Sequence, residues 1–291
     1  MKLFLTGIVF AALNLFAATP PVASWLFDEG RTNGVNGVVE FAPGVRERCL
    51  VLDGLTTHIV VPATEAPKLA DSFTISAWIA LGSYPLNAAP IVDLLEPDRG
   101  GVFFGVDAHG RLSLAVRAGD RVQTLSVSNT IPLSQWQNVV GVLTPGGELK
   151  LWVDGKLVAE QKLEGRFVAP NGMVDLLVGR ARLKAKPEGA IRPEANAEIF
   201  AALDGALDEL QVYDRALTDA EIAGEFHAVQ VPAKSPVLPR VLPAGSAGVF
   251  GAFYTNLKFY PQWDKAWRVG DFPDVVVRFG ELPARRQIPG E

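Results

Sequence analysis

From Val22 to Val229 the chain is cut, every eight to twelve residues or so, into short apolar or alternating runs with turn-forming residues between them. The sharpest cut is Asp154-Gly155, between Leu151-Trp152-Val153 and Lys156-Leu157-Val158. Asp-Gly accepts the positive φ angles of a type I′ turn, which predicts a tight β-hairpin. Pro145-Gly146-Gly147 joins Gln137–Leu143 to Glu148–Val153, and Asp107-Ala108-His109-Gly110 joins Gly101–Val106 to Arg111–Val116, as two further hairpins. In Ser72–Ile79 the residues Phe73, Ile75, Ala77 and Ile79 recur at every second position, so they share one face of a strand. Strands are also predicted at Ser24–Phe27, His58–Val61, Val122–Val127, Val174–Val178 and Leu207–Val212. This cadence predicts an all-β, antiparallel, two-sheet sandwich or jelly roll. Composition agrees: 28 Gly and 21 Pro exclude a long-helix protein, and 48% hydrophobic with 20% charged residues excludes a disordered one.

One helical element is expected. Thr218-Asp219-Ala220-Glu221 has the Thr-x-x-Glu spacing of a capping box, followed by Ile222, Ala223 and Phe226. It predicts a short closing helical turn at the end of the strand array. Before the strands, Met1-Lys2, an apolar run from Leu3 to Phe16 and Ala17-Ala18 read as a signal peptide over residues 1–18. The run is shorter than a membrane span needs. Export follows, to a periplasm or outside the cell. Cys49 is the single cysteine, so no internal disulfide is possible, and it reads as a small apolar strand residue. After the helix, Pro232, Pro236, Pro239 and Pro243 mark residues 230–247 as a semi-rigid linker. Residues 248–291, rich in aromatics from Phe250 to Phe272, read as a tail or the beginning of a second domain. The net charge of −5, without basic clusters, excludes a nucleic-acid partner.

Six segments in order carry a resemblance. They are Ala23–Gly30, Cys49–Gly54, Phe73–Trp78, Gln135–Val139, Leu149–Val158 and Leu203–Leu217. Together they resemble the LamG-like jelly-roll family of the concanavalin A-like lectin/glucanase superfamily over residues 22–229. Two departures stand out. The paired histidines that the family often carries after a tryptophan are amides here, Gln137 and Asn138. The loop Arg31–Gly37 lacks the usual aspartate. Leu183–Ala202 reads as an extended loop before the last strand.

The superfamily includes glucanases with a Glu-x-Asp-x-x-Glu strand motif, which alternation would place on one face as acid and nucleophile. That spacing is absent. The acidic cluster Asp93-Leu94-Leu95-Glu96-Pro97-Asp98 is read as a turn, because Pro97 cannot sit in a central strand. The resemblance implies one structural calcium at the sandwich edge. Asp208 is the first candidate ligand, with Asp28, Glu29 and Glu209 beside it, since the opening and closing strands pair in this fold and calcium prefers oxygen donors. Trp78 and Trp152 lie on the more polar faces of their strands. There they either stack on a sugar or pack in the core. The expected function is a secreted, non-catalytic carbohydrate-binding or adhesion module, accessory to a glycan-active protein, with a glycan or cell-surface polysaccharide as partner. The alternatives are the N-terminal part of a secreted glycoside hydrolase or lyase, and a spacer without a ligand.

Overall fold

The computed structural model describes residues 19–236, apart from 31, 33, 86, 185–199 and 234. The expected signal at 1–18, the tail at 248–291 and most of the linker at 230–247 lie outside the described residues.

The strands, in chain order, are β1 (Ala23–Trp25), β2 (Val35–Asn36), β3 (Glu40–Pro43), β4 (Arg48–Asp53), β5 (His58–Val61) and β6 (Phe73–Ser83). They continue as β7 (Ala89–Asp93), β8 (Val102–Val106), β9 (Arg111–Ala118), β10 (Arg121–Thr130), β11 (Gln137–Leu143) and β12 (Glu148–Val153). The last are β13 (Lys156–Lys162), β14 (Leu176–Val178), β15 (Arg180–Lys184), β16 (Phe200–Ala202) and β17 (Asp204–Tyr213), before the helix α1 (Asp219–His227). One sheet has the order β13-β12-β11-β6-β17-β4-β3, with β1 also on β17. The other has the order β10-β9-β8-β7-β14-β5-β2, and β15 with β16 forms a separate two-stranded piece. All pairings among these strands are antiparallel. This is the expected jelly-roll sandwich.

The core lies between the two large sheets. Phe73, Ile75, Ala77, Ile79 and Leu81 of β6 meet Phe104, Leu112, Leu114 and Val116 of the opposing sheet in one buried cluster. Burying each large side chain there contributes roughly 1.5–3 kcal/mol. The alternation read from the sequence thus selects the inner face correctly. The outer face of β6 is covered too: all eleven of its residues are buried. The cover is α1. Its capping box is complete, with the Thr218 hydroxyl accepting from the Glu221 N–H and the Glu221 carboxylate accepting from the Thr218 N–H. Thr74 ties the approach to the helix onto β6, donating to the Arg215 carbonyl and accepting from the Leu217 N–H, both at 2.9 Å.

The Asp154-Gly155 turn has φ of +50° and +71°, the two positive angles that a type I′ turn requires. A Cβ on Gly155 would lie 3.1 Å from the Phe226 ring, so the hairpin also supports the helix. Two expectations need revision. No strand is expected at β7, because Ala-Pro-Ile-Val-Asp is buried at every position and so shows no alternation. Leu183–Ala202 is not all loop, because its two ends fall within β15 and β16, which pair with one another.

Candidate functional site

The two tryptophans expected either to stack on a sugar or to pack in the core are both covered. Trp78 is 3% exposed, packs with Val45, Cys49, Ala80, Trp136 and Ala206, and stacks on Phe226. Trp152 is 6% exposed and packs with Val140, Val142, Tyr213, Leu217 and Ile222. A stacking platform needs an open ring face. Here Phe226 of α1 closes over Trp78 together with Val45, Cys49, Trp136 and Ala206, and Leu217 and Ile222 close over Trp152, so of the two expected roles the structure gives core packing to both tryptophans and corrects the ligand-binding one. The polar neighbours Thr74 and Ser76 misled the reading, because Thr74 serves the turn into α1.

The four candidate calcium ligands divide. Asp208 is fully buried. Its Oδ2 accepts from the N–H groups of Val45 (2.8 Å) and Arg46 (3.2 Å), and its Oδ1 from that of Glu209 (2.9 Å). Burial pushes its carboxyl up to about 7, and the charge of Glu209 adds to this, while the three N–H groups pull the other way. Glu209 sits at an irregularity in the β17–β6 ladder with φ of +48°, and its Oε2 lies 3.4 Å from Arg46 Nε. Its carboxyl is also raised, first by burial and then by the charges of Asp28 and Glu225, against the pull of Arg46. Asp28 Oδ1 and Glu209 Oε1 are buried without hydrogen-bond partners. Asp28 and Glu29 line a crevice of about 410 Å³ with Trp25 and Phe27. Two neighbouring carboxylates, each with one unpartnered buried oxygen, would suit a hard cation. Asp208, however, is committed to the 44–46 loop, and among the described residues no group of three or more His, Cys, Asp or Glu is placed to hold a metal ion. The donor set is therefore a partial fit, with Asp28 and Glu209 as its best members.

A further recess lies elsewhere, on the outer face of the seven-stranded sheet. It has a volume of about 720 Å³. Register builds its floor. Asp93 of β7 faces Phe103 of β8, Phe103 faces Ala115 of β9, and Ala115 faces Thr124 of β10. A second row, two residues along, sets Gly105, Ser113 and Ser126 side by side. Each row crosses three strand spacings at most, about 14 Å. Phe103 is half-buried, whereas its neighbours Val102 and Phe104 are fully buried in the core. The Ser113 and Ser126 hydroxyls lie 2.8 Å apart. Thr124 and Ser126 are exposed. Ala181, Leu183, Lys184 and Ala201 of the β15–β16 pair form one wall, and Leu95 and Pro97 stand in the turn after β7.

Two carboxylates border this cleft. Asp107 accepts from the N–H groups of His109 and Arg111 and from the Arg111 side chain, and those bonds hold its carboxyl below the usual range in spite of partial burial. Asp93 is 4% exposed, and burial pushes its carboxyl up although it accepts from the Arg182 and Leu95 N–H groups. The floor residues were missed in sequence because Val102-Phe103-Phe104 is apolar throughout. The available signal was the hairpin register that sets Ser113 against Ser126.

Two antiparallel sheets on one core, with an open recess on one outer sheet face, define a jelly-roll β-sandwich module. A laminin-G-type family profile matches residues 53–223, and the chain belongs to the concanavalin A-like lectin/glucanases superfamily. No curated protein matches the sequence. Solved structures share the fold. Domain 4 of AbnA, a GH43 extracellular arabinanase from Geobacillus stearothermophilus in complex with arabinotriose, is 14% identical with a TM-score of 0.51, over 70% of this chain and 97% of that one. The binding domain of Paraclostridial Mosquitocidal Protein 1 is 18% identical with a TM-score of 0.50, over 67% of this chain and 46% of that one. The binding domain of botulinum neurotoxin DC, in complex with rat synaptotagmin II, is 16% identical with a TM-score of 0.50, over the same shares. The chain therefore spans less than half the length of these two toxin domains. Among the described residues no helix is long and apolar enough to cross a membrane.

Proposed function

We propose that this chain is an exported, non-catalytic carbohydrate-binding module that takes a neutral oligosaccharide into the cleft on the seven-stranded sheet. The observation that carries the reading is the floor of that cleft. The partly exposed ring of Phe103 lies within one or two strands of the exposed Thr124 and Ser126 hydroxyls, with the buried Ser113 hydroxyl bonded to Ser126, so an apolar platform stands beside hydrogen-bonding groups. A sugar ring presents the matching combination of an apolar face and a rim of hydroxyls. The volume falls within the usual range for small-ligand sites, roughly 300–1,000 Å³. Both bordering carboxylates are engaged with backbone N–H groups, which supports binding over acid–base chemistry. The arabinanase domain, solved with arabinotriose, supports the choice of ligand class and an accessory role beside a glycan-active protein. The apolar run from Leu3 to Phe16 supports export. A structural calcium between Asp28 and Glu209 is part of the proposal. Calorimetry on the chelated protein would show a melting shift on calcium addition, and no shift and no heat would refute it.

A second reading makes the chain the N-terminal part of a secreted glycoside hydrolase or lyase. The arabinanase likeness favours it, because that domain is one piece of an enzyme. The reading frame beyond Glu291 decides between a module and a fragment. The cleft is tested by titrating the protein with neutral oligosaccharides, arabinotriose first. Binding that disappears in Phe103→Ala supports the reading, and binding that is unchanged in that variant removes the cleft from it.

A further inference from the structure

The cleft has a fixed floor and an added wall. Its floor belongs to the seven-stranded sheet, whereas its wall, the β15–β16 pair, is a two-stranded piece outside both large sheets. Something must hold the wall at a set distance from Phe103. β15 follows β14 after Gly179 alone, which anchors one end of the wall, and the Asp93 side chain ties its middle to the floor strand β7. Asp93 ends β7, directly across from Phe103 in the ladder. Its Oδ2 accepts from the backbone N–H of Arg182, in the middle of β15, at 2.8 Å. Its Oδ1 accepts from the N–H of Leu95, in the turn on the other side, at 3.1 Å. The Arg182 guanidinium returns to the Asp93 carbonyl at 3.4 Å and also reaches the Asp175 carbonyl. Leu95 and the residues on either side of Arg182, Ala181 and Leu183, all line the cleft.

We propose that Asp93 is the positioning residue of the binding cleft, its carboxylate bridging the Leu95 turn and the β15 wall and so setting the width of the space above Phe103. This rests on the cleft being the glycan site. A carboxylate suits the task because it accepts two N–H bonds in different directions, whereas an amide of the same shape offers one acceptor and turns an NH₂ group towards the other donor. Charge-assisted bonds to a buried carboxylate are also stronger than neutral ones. Asp93, the first residue of the acidic cluster read as a turn, thereby gains a purpose that a turn alone does not explain.

The test compares wild type, Asp93→Asn and Arg182→Met in the full chain by amide hydrogen exchange and by titration with the neutral oligosaccharide panel. Asp93→Asn is expected to speed exchange at the Leu95 or Arg182 amide by about tenfold, leave β9 and β11 amides unchanged, and weaken binding by a similar factor. Arg182→Met keeps the backbone N–H, so it is expected to retain slow exchange there and most of the affinity. Unchanged exchange at both Leu95 and Arg182 in Asp93→Asn would overturn the bridge, whatever any glycan does. Faster exchange with undiminished affinity would overturn its influence on the site. Faster local exchange in a protein whose wild type binds none of the panel would sink the glycan reading while leaving the bridge itself standing. Faster exchange everywhere would mark Asp93 as a general fold residue and refute the specific role.

Discussion

Trp78 and Phe226 lie face to face, ring centroids 5.7 Å apart and 18° between planes, one on the central strand β6 and the other on α1. The contact explains why an apparently polar sheet face holds a tryptophan: the helix folds down onto it, and Trp78 and Trp152 become the inside of a second, thinner layer. Truncating Phe226→Ala removes the stack and opens space over Trp78. The expected loss is about 2 kcal/mol, seen as an earlier denaturant midpoint with little change in slope. Tryptophan fluorescence should shift to the red before global unfolding. A variant as stable as wild type, with unshifted emission, would detach α1 from the account.

Acid should loosen the same helix. The Arg215 side chain and the Thr218 cap hold the Glu221 carboxyl down at about 2, from an ordinary 4.5. A depressed folded value means that the stabilisation is complete above the unfolded value and is lost as pH falls through the folded one. The loss therefore belongs between about pH 4.5 and pH 2. Glu225, its carboxyl raised by burial, titrates on the same helix, so the informative quantity is the difference from Glu221→Gln, which should already lack this contribution at pH 7 and lose less on acidification. Parallel pH profiles for the two proteins would contradict it.

Cys49 offers a probe of the sandwich edge. It is fully buried on β4, and burial with the nearby charge of Asp208 pushes its thiol up to about 12. The thiolate is the reactive form. A disulfide reagent at pH 8 should leave the native protein unmodified for hours and react at once in denaturant. Rapid labelling of the native protein would show that β4 opens.

Asp208 should act as a structural anchor. Replacing it with Ala leaves the Val45, Arg46 and Glu209 N–H groups without their acceptor. A buried unsatisfied donor costs roughly 1–3 kcal/mol, so Asp208→Ala is expected to lower stability by several kcal/mol. Thermal melts with and without calcium separate the anchor from any metal role. A loss that is equal in both conditions fits the anchor, and a loss seen only with calcium present would reassign Asp208 to the cation.

The inner layer of this fold was legible in the sequence because it obeys period two. Phe73, Ile75, Ala77 and Ile79 point inward as their spacing predicts, and Asp154-Gly155 turns as its φ preferences demand. The capping box at Thr218 placed α1 to within a residue. What the sequence could not show was where α1 would rest. A nine-residue helix with two apolar anchors, Ile222 and Phe226, can cover several surfaces, and its choice decided between the two roles expected of Trp78 and Trp152. The cleft was hidden for a related reason. Phe103 and Phe104 are adjacent and chemically identical, and only the ladder with β9 decides which of them meets solvent.

The central claim is that an oligosaccharide sits on Phe103 between the β15–β16 wall and the Ser113–Ser126 hydroxyls. Isothermal titration of wild type and Phe103→Ala against a panel of neutral oligosaccharides tests it directly, with arabinotriose first and concentrations extending to the millimolar range. The account predicts binding of at least one member by wild type and a loss of tenfold or more in Phe103→Ala, whose melting curve stays close to wild type because the ring lies outside the buried core cluster. No binding by wild type at any concentration, or equal binding by both proteins, would contradict it.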